Sequence, residues 1–245
     1  MKVLIRQTML EIKIFLRRRD DLFWSLAFPV FFIVLFGLIY GDQQWGDIRA
    51  IDYLLPGIIV MAVMITGIMV CATSFAEDRE KGIFRRLSVT PLKKHTVIGA
   101  QIINRYLIIL VQTLILLLIG ILAFNINIVG NYAAFWLILT LGAICFLTIG
   151  FSLTSLMRTA KSATPLGMIV FFLLLFLGRI LFPVGVMPKG LEYVSNVLPT
   201  TYLNDALRIV IIEGKSIADI WLELLVVLGW TIVCFALSIR FFRWE

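Results

Sequence analysis

The sequence predicts an all-α polytopic membrane protein with six transmembrane helices, and three observations carry that prediction. Of 245 residues, 61% are hydrophobic and only 15% are charged, against about 25% charged in soluble domains. A soluble fold of this length fills its core with far less apolar material, so the excess must face lipid. The apolar residues also fall into six runs, each close to the ~20 residues that a helix rising 1.5 Å per residue needs to cross a bilayer. Finally, the runs lack the period-two alternation of a membrane barrel, and a helix satisfies its own backbone hydrogen bonds where lipid cannot.

Residues 1–21 come first. On a helical wheel Lys2, Arg6, Lys13 and Arg17 fall within about 60° of one another, with Leu4, Ile5, Met9, Ile12, Phe15 and Leu16 on the other side. This is the pattern of an interfacial helix lying on a leaflet; the alternative is a solvated basic tail. The first transmembrane helix is expected over 22–40, too long for a cleaved signal peptide and with no small-x-small site after it. The second is expected over 56–75, the third over 106–124 and the fourth over 132–157. The fifth runs over 162–182 across Arg179, and the sixth over 220–239 with Glu223 near its start. Residues 1–245 read as a single transmembrane domain.

Lysines and arginines set the orientation. One side carries Lys2, Arg6, Lys13, Arg17, Arg18, Arg19, Arg79, Lys81, Arg85, Arg86, Lys93, Lys94, Arg158, Lys161, Arg240 and Arg243. The other carries only Arg49, Lys189, Arg208 and Lys215. Both termini and the 76–95 connection are therefore expected in the cytoplasm. The net charge of +7 does not point to nucleic acid, because the basic residues sit in short segments between apolar runs and not on one folded face.

Several chemistries find no support. Cys71, Cys145 and Cys234 all lie inside apolar runs, and their spacing suits neither a disulfide framework nor a zinc site. His95 is the sole histidine and belongs to a basic patch. The sequence has no HExxH, GxSxG, catalytic carboxylate pair or GxxxxGK[ST] phosphate loop. The middles of the runs carry no Asp, Glu, Lys, Arg or His, which disfavours an ion- or proton-coupled carrier. Neither catalytic nor metal-binding residues are expected, and any work done must draw its energy from elsewhere.

Two segments interrupt the apolar pattern. In "AEDREKGIFRRLSVTPLKKH", residues 76–95, the acidic side chains Glu77, Asp78 and Glu80 precede the basic ones, as a helix macrodipole prefers. Glu77 and Lys81 form an i,i+4 pair, Gly82 is placed to loosen or kink the segment, and Pro91 stops it. Ile83, Phe84 and Leu87 share one side. Such a helix either anchors on headgroups or docks a soluble partner. The second segment, "LFLGRILFPVGVMPKGLEYVSNVLPTTYLNDALR", breaks at Arg179, Pro183, Gly185, Pro188 and Gly190, with a short helix about Leu191–Leu198 ended by Pro199. It is too apolar for a free loop and too broken to span, which fits a re-entrant pair over 183–198 on the outer side. Arg179 either snorkels to the interface or lines a polar cavity. Asp205 and Arg208 are spaced to pair.

In this order the segments resemble the membrane (permease) subunit of type-2 ATP-binding-cassette exporters, over nearly the whole chain. "EDREKGIFRRLSVTPLKKHTVIGAQ" is similar to the family's charged loop between helices two and three. "FPVGVMPKGLEYVSNVLPTTYLNDALR" is similar to its outer segment of spaced prolines, Pro-x-x-Tyr and closing Leu-Arg. The six-span plan with both ends inside and a basic interfacial helix completes the likeness. The resemblance implies a cytoplasmic coupling helix seated in a nucleotide-binding ATPase subunit, with Glu80, Gly82, Arg86, Leu87, Thr90 and Pro91 at matching positions. Arg85 stands where the family often has an acid, which implies charge-swapped groove contacts. It also implies an outer re-entrant gate that includes Arg179, Pro183, Gly185, Pro188, Pro199 and Tyr202. No cofactor is expected on this chain; ATP and Mg would sit on the partner subunit. The implied assembly has a second permease copy, identical or related, in a cell (inner or cytoplasmic) membrane. The implied activity is export of a small amphiphilic, drug-like, peptide or lipid-linked substrate. The alternatives are an ion-coupled carrier, an intramembrane enzyme, and a sensory or assembly subunit that transports nothing.

Overall fold

The structure is a computed structural model that describes residues 2–41, 43–46, 48–83, 94–156, 159–180 and 189–241. It is mostly helical. In chain order come α1 (Lys2–Arg17), α2 (Arg19–Tyr40), and a short antiparallel hairpin β1 (Gln44–Trp45) and β2 (Ile48–Arg49). Then follow α3 (Ala50–Glu80), α4 (Lys94–Phe124), α5 (Tyr132–Leu156) and α6 (Ala160–Leu177). Two shorter helices, α7 (Lys189–Ser195) and α8 (Pro199–Ile211), precede a 3-10 turn, Ile217–Ile220, and α9 (Trp221–Phe241).

Among the described residues, five helices are long and apolar enough to cross a membrane: α2, α3, α4, α5 and α9. The expected fifth span corresponds to α6, which is apolar but shorter. The helices outrun their charge-free stretches, because a charge ends an apolar run without ending a helix. Thus α3 begins at Ala50 and carries Pro56 in its interior. Helix α4 begins at Lys94 and takes in Gln101, Asn104 and Arg105, all buried.

Helix α3 is the pole of the bundle. Its apolar window is buried along its whole length, whereas few residues in those of α2 and α9 are buried. Neighbours α2, α4, α5, α6 and α8 all pack on it. The crossing with α5 is made by glycines: a Cβ on Gly150 would run into the Gly67 carbonyl, and one on Gly67 would lie 2.8 Å from the Phe146 side chain. Small residues let membrane helices approach closely, where packing and not water exclusion holds them. Large apolar side chains such as Leu38, Leu122, Ile169 and Ile232 point outward, as lipid-facing positions require.

Two helices contain a π turn, Phe23–Ala27 in α2 and Ile65–Val70 in α3, and these pack on one another. Thr66, in the second, donates to Oε1 of Gln112 on α4 at 2.9 Å, deep in the bundle. All three cysteines are free and buried.

Two expected boundaries are corrected. Residues 76–80, expected as the start of the 76–95 coupling loop, are the last turns of α3, with Ala76 and Asp78 buried. Pro199 opens α8 instead of ending the helix before it; its ring presets φ and its missing N–H is an orphan at a helix start in any case.

Candidate functional site

The described parts of the two interruptions in the apolar pattern lie at opposite ends of the bundle. At one end α1 lies against α4. Thr8 and Phe15 are buried, while Arg6, Lys13 and Arg17 are exposed; Lys2 is in α1, but its side chain lies outside the described residues. Ile5, Met9 and Leu16, expected to share the apolar face with Phe15, are instead exposed. Protein claims one sector of α1, and an open apolar stripe borders the basic one. Glu11 sits on the protein-facing side, where burial pushes its carboxyl above the ordinary value, Asp78 pushes the same way, and Arg105, Gln7 and Arg18 oppose.

Beside α1 is a cluster of charges drawn from the ends of three helices and the turn before one of them. Asp78, in the last turns of α3, accepts from Arg18 Nη2 at 2.8 Å on one oxygen and from Gln101 Nε2 at 2.9 Å on the other. Asp21, at the start of α2, accepts from Ser74 Oγ at 3.1 Å, and Arg105 and Arg18 lie 3.9 and 3.8 Å from its carboxylate. Arg18 is also 3.9 Å from Glu77, which pairs with Lys81 at 2.8 Å as the spacing predicts. The Arg105 guanidinium lies 5.7 Å from the centroid of the Phe15 ring, within cation–π range. The side chains of Arg105 and Asp78 are only 8% and 10% exposed. Charges so buried persist only when paired; Asp78 is hydrogen-bonded on both oxygens, while Arg105 has the Asp21 carboxylate 3.9 Å away on another helix. Arg79 donates to the Thr154 carbonyl at 3.0 Å and ties α3 to the end of α5.

Just beyond this cluster α3 stops. Gly82 adopts φ +65° and its N–H bonds the Arg79 carbonyl at 2.9 Å, the left-handed termination that glycine favours. Gly82 therefore ends α3 and does not merely loosen it. Glu80 is exposed at the same helix end. Arg86, Leu87, Thr90 and Pro91 lie outside the described residues, and so does the expected coupling helix. Asp78, Arg18, Gln101 and Arg105 were not anticipated as partners. One signal was available: Gln101, Asn104 and Arg105 follow i, i+3, i+4 spacing, a polar face on one helix that needs polar company.

At the other end Arg179 adopts φ +54° after α6 and turns inward. It donates to Asn196 Oδ1 at 2.6 Å and lies 3.8 Å from Glu192 and 3.9 Å from Asp205. Its carbonyl accepts from Asn204 Nδ2 at 2.9 Å, so one residue joins α6, α7 and α8. The Tyr202 hydroxyl donates to the Asn196 carbonyl at 2.7 Å. Arg208 stacks over the Tyr53 ring, 3.8 Å from its centroid, and meets Asp205 at 3.9 Å. That pair was expected; the partner on α3 was not. Arg49 grips Asp52 through two nitrogens, at 2.8 and 2.9 Å, and bonds the carbonyls of Phe124 and Asn125. A cavity of about 590 Å³ lies beside it, lined by Arg49, Asp52, Asn125, Asn127 and Ile211 among others. Pro183, Gly185 and Pro188 lie outside the described residues.

Comparison with known proteins identifies the family of the chain. Residues 2–212 match the ABC-2 type transporter family. YvfS of Bacillus subtilis (strain 168), classed as a transport permease, is 26% identical over 97% of this chain and 96% of its own length. ABC transporter G family member 20 of Dictyostelium discoideum is 27% identical over 79% of this chain, which spans only 26% of that longer protein. The linearmycin resistance permease protein LnrN of Bacillus subtilis (strain 168) is 24% identical over 76% of this chain, and 48% of its own length is covered. With a family match over most of its length and a bundle of apolar helices long enough to span a bilayer, the chain belongs to the ABC-2 type transporter family, as a multi-pass membrane permease.

Proposed function

We propose that this chain is the membrane subunit of an exporter driven by ATP hydrolysed on a separate, nucleotide-binding subunit. One observation carries the reading: the central helix α3, enclosed on all sides, ends at Gly82, where the rest of the charged 76–95 segment begins. A push on that connection cannot be absorbed by lipid, since α3 touches only other helices along its apolar length. The connection would be the docking element, with Glu80, Gly82, Arg86, Leu87, Thr90 and Pro91 at its contact with the ATPase. In this reading α6 is the sixth crossing, both termini are cytoplasmic, and α7 and α8 form the re-entrant outer gate around Arg179. Two permease copies would enclose the path. The resistance function named for LnrN, and the absence of any large soluble stretch in this sequence, favour a small amphiphilic or drug-like cargo.

The test is to tag the chain, solubilise it gently from its native membrane and identify what co-purifies. An ATPase of roughly 200–300 residues, one to two domains, is expected. It should be lost when Arg86→Glu and Pro91→Ala are combined. Recovery of the chain alone from several mild detergents would refute the proposal, as would transport that stops with a proton ionophore but survives ATP depletion.

A further inference from the structure

We infer that Asp78, Arg18 and Gln101 form a switchable clamp that makes α2 and α4 follow the end of α3, and that the facing π turns absorb the movement. Asp78 spends one carboxylate oxygen on Arg18, beside α2, and the other on Gln101 of α4. A displacement of this helix end must therefore carry both neighbours or break a buried charge-assisted bond.

The clamp has more than one position available. Arg18 lies 2.8 Å from Asp78, 3.8 Å from Asp21 and 3.9 Å from Glu77. One contact is a bond, and the other two are acceptors within a small rotation of the guanidinium. Arg18 can pass between them without either leaving its charge unpaired or crossing lipid. Arg105, already near Asp21, covers that carboxylate while Arg18 serves Asp78. Gln101 Oε1 and Arg105 Nη1 have no hydrogen-bond partner among the described residues, so both have capacity for the second arrangement.

The π turns lie where such a movement would be taken up. One starts two residues after Asp21, and Ser25 within it donates to the Asp21 carbonyl. The other ends four residues before Ser74, whose hydroxyl holds the Asp21 carboxylate. A π turn carries one extra residue in the helical ladder and can relax to α geometry by a one-residue shift. The two turns abut, so a shift in one is felt in the other.

The clamp's mechanical purpose rests on the proposed docking of an ATPase at residues 76–95; its existence does not. Two arms separate them. In the first, amide hydrogen exchange is followed on the purified chain without any ATPase. Asp78→Asn should speed exchange at least about fivefold at the start of both α2 and α4, whereas Asp78→Glu, which keeps the charge and both acceptor oxygens, should retain most of the protection. Unchanged exchange in Asp78→Asn overturns the clamp whatever drives the transporter. In the second, the complex with its co-purified ATPase is reconstituted and transport per ATP is measured. Asp78→Asn should lower that ratio about five- to 150-fold, the range of ordinary allosteric couplings, while ATPase recovery and the KM for ATP stay as in the parent. A merely structural role would lower transport and ATPase recovery together and raise the KM, and that outcome overturns the inference. If Asp78→Asn fails to insert, Gln101→Leu severs α4 alone and should still reduce transport per ATP. A parent-like ratio there overturns the coupling. If no ATPase is found, the functional proposal falls and the exchange arm alone decides the clamp.

Discussion

The stacking of Arg208 on Tyr53 is the contact whose worth can be worked out most directly. The guanidinium lies 3.8 Å from the ring centroid, on a residue that is 8% exposed. Cation–π pairs contribute about 0.5–1 kcal/mol when exposed and about 2 when desolvated, so about 1.5–2 kcal/mol is expected here. The ion pair with Asp205 adds less than a fully buried one would. At 3.9 Å it is long, Asp205 is 30% exposed, and Arg179 stands equally near to take over. Tyr53→Leu and Arg208→Met keep the bulk of each side chain and remove the ring face and the charge in turn. A double-mutant cycle by reversible unfolding in mixed micelles should return a coupling of about 1–2 kcal/mol. A coupling below about 0.5 kcal/mol would show that the stack holds nothing and that α8 is fastened to α3 by apolar packing alone. Arg208→Met by itself should cost about 2–3 kcal/mol, because it also leaves Asp205 to Arg179.

Gly150→Val should destabilise the bundle by about 1–3 kcal/mol, since its Cβ would overlap the Gly67 carbonyl and overpacking of a rigid crossing costs that order. Gly229→Val, where no atom lies within 4 Å of a built Cβ, should leave the melting temperature unchanged and serves as its control. Arg49→Ala should detach the β1–β2 hairpin from the α4–α5 connection, at about 1–3 kcal/mol for the lost charged hydrogen bonds, and speed proteolysis there without altering insertion. Glu11 gives a pH dependence of known sign. Its carboxyl is held above the ordinary 4.5, so its contribution to docking α1 is full below that value and is lost as pH rises through the raised one. Hydrogen exchange in α1 should therefore quicken with pH beyond its intrinsic trend, and Glu11→Gln should abolish that excess.

Much of the polar architecture was legible only in part. The pairs Glu77–Lys81 and Asp205–Arg208 could be read because helical spacing alone brings such residues together. Arg18 with Asp78 and Tyr53 with Arg208 could not. Their partners are separated by long stretches of chain, and no local periodicity records which ends of two helices will meet. Gly82 was visible as an exception in the charged stretch, but whether it kinks or terminates depends on its φ. Pro199 was similarly ambiguous, since the same ring that stops one helix starts another.

The sequence by itself determined that the chain is helical, spans a membrane and interrupts its apolar runs with one densely charged connection and one broken segment. Lipid is a uniform solvent that every exposed turn must satisfy separately, so hydropathy along the chain is sufficient to show this. The tertiary structure alone decided that α3 is the enclosed pole, that Arg105 and Arg179 turn inward, and that Asp78 holds two neighbours at once. Those outcomes depend on which buried charge finds which partner, and the cost of leaving one unpaired acts only after the helices have packed.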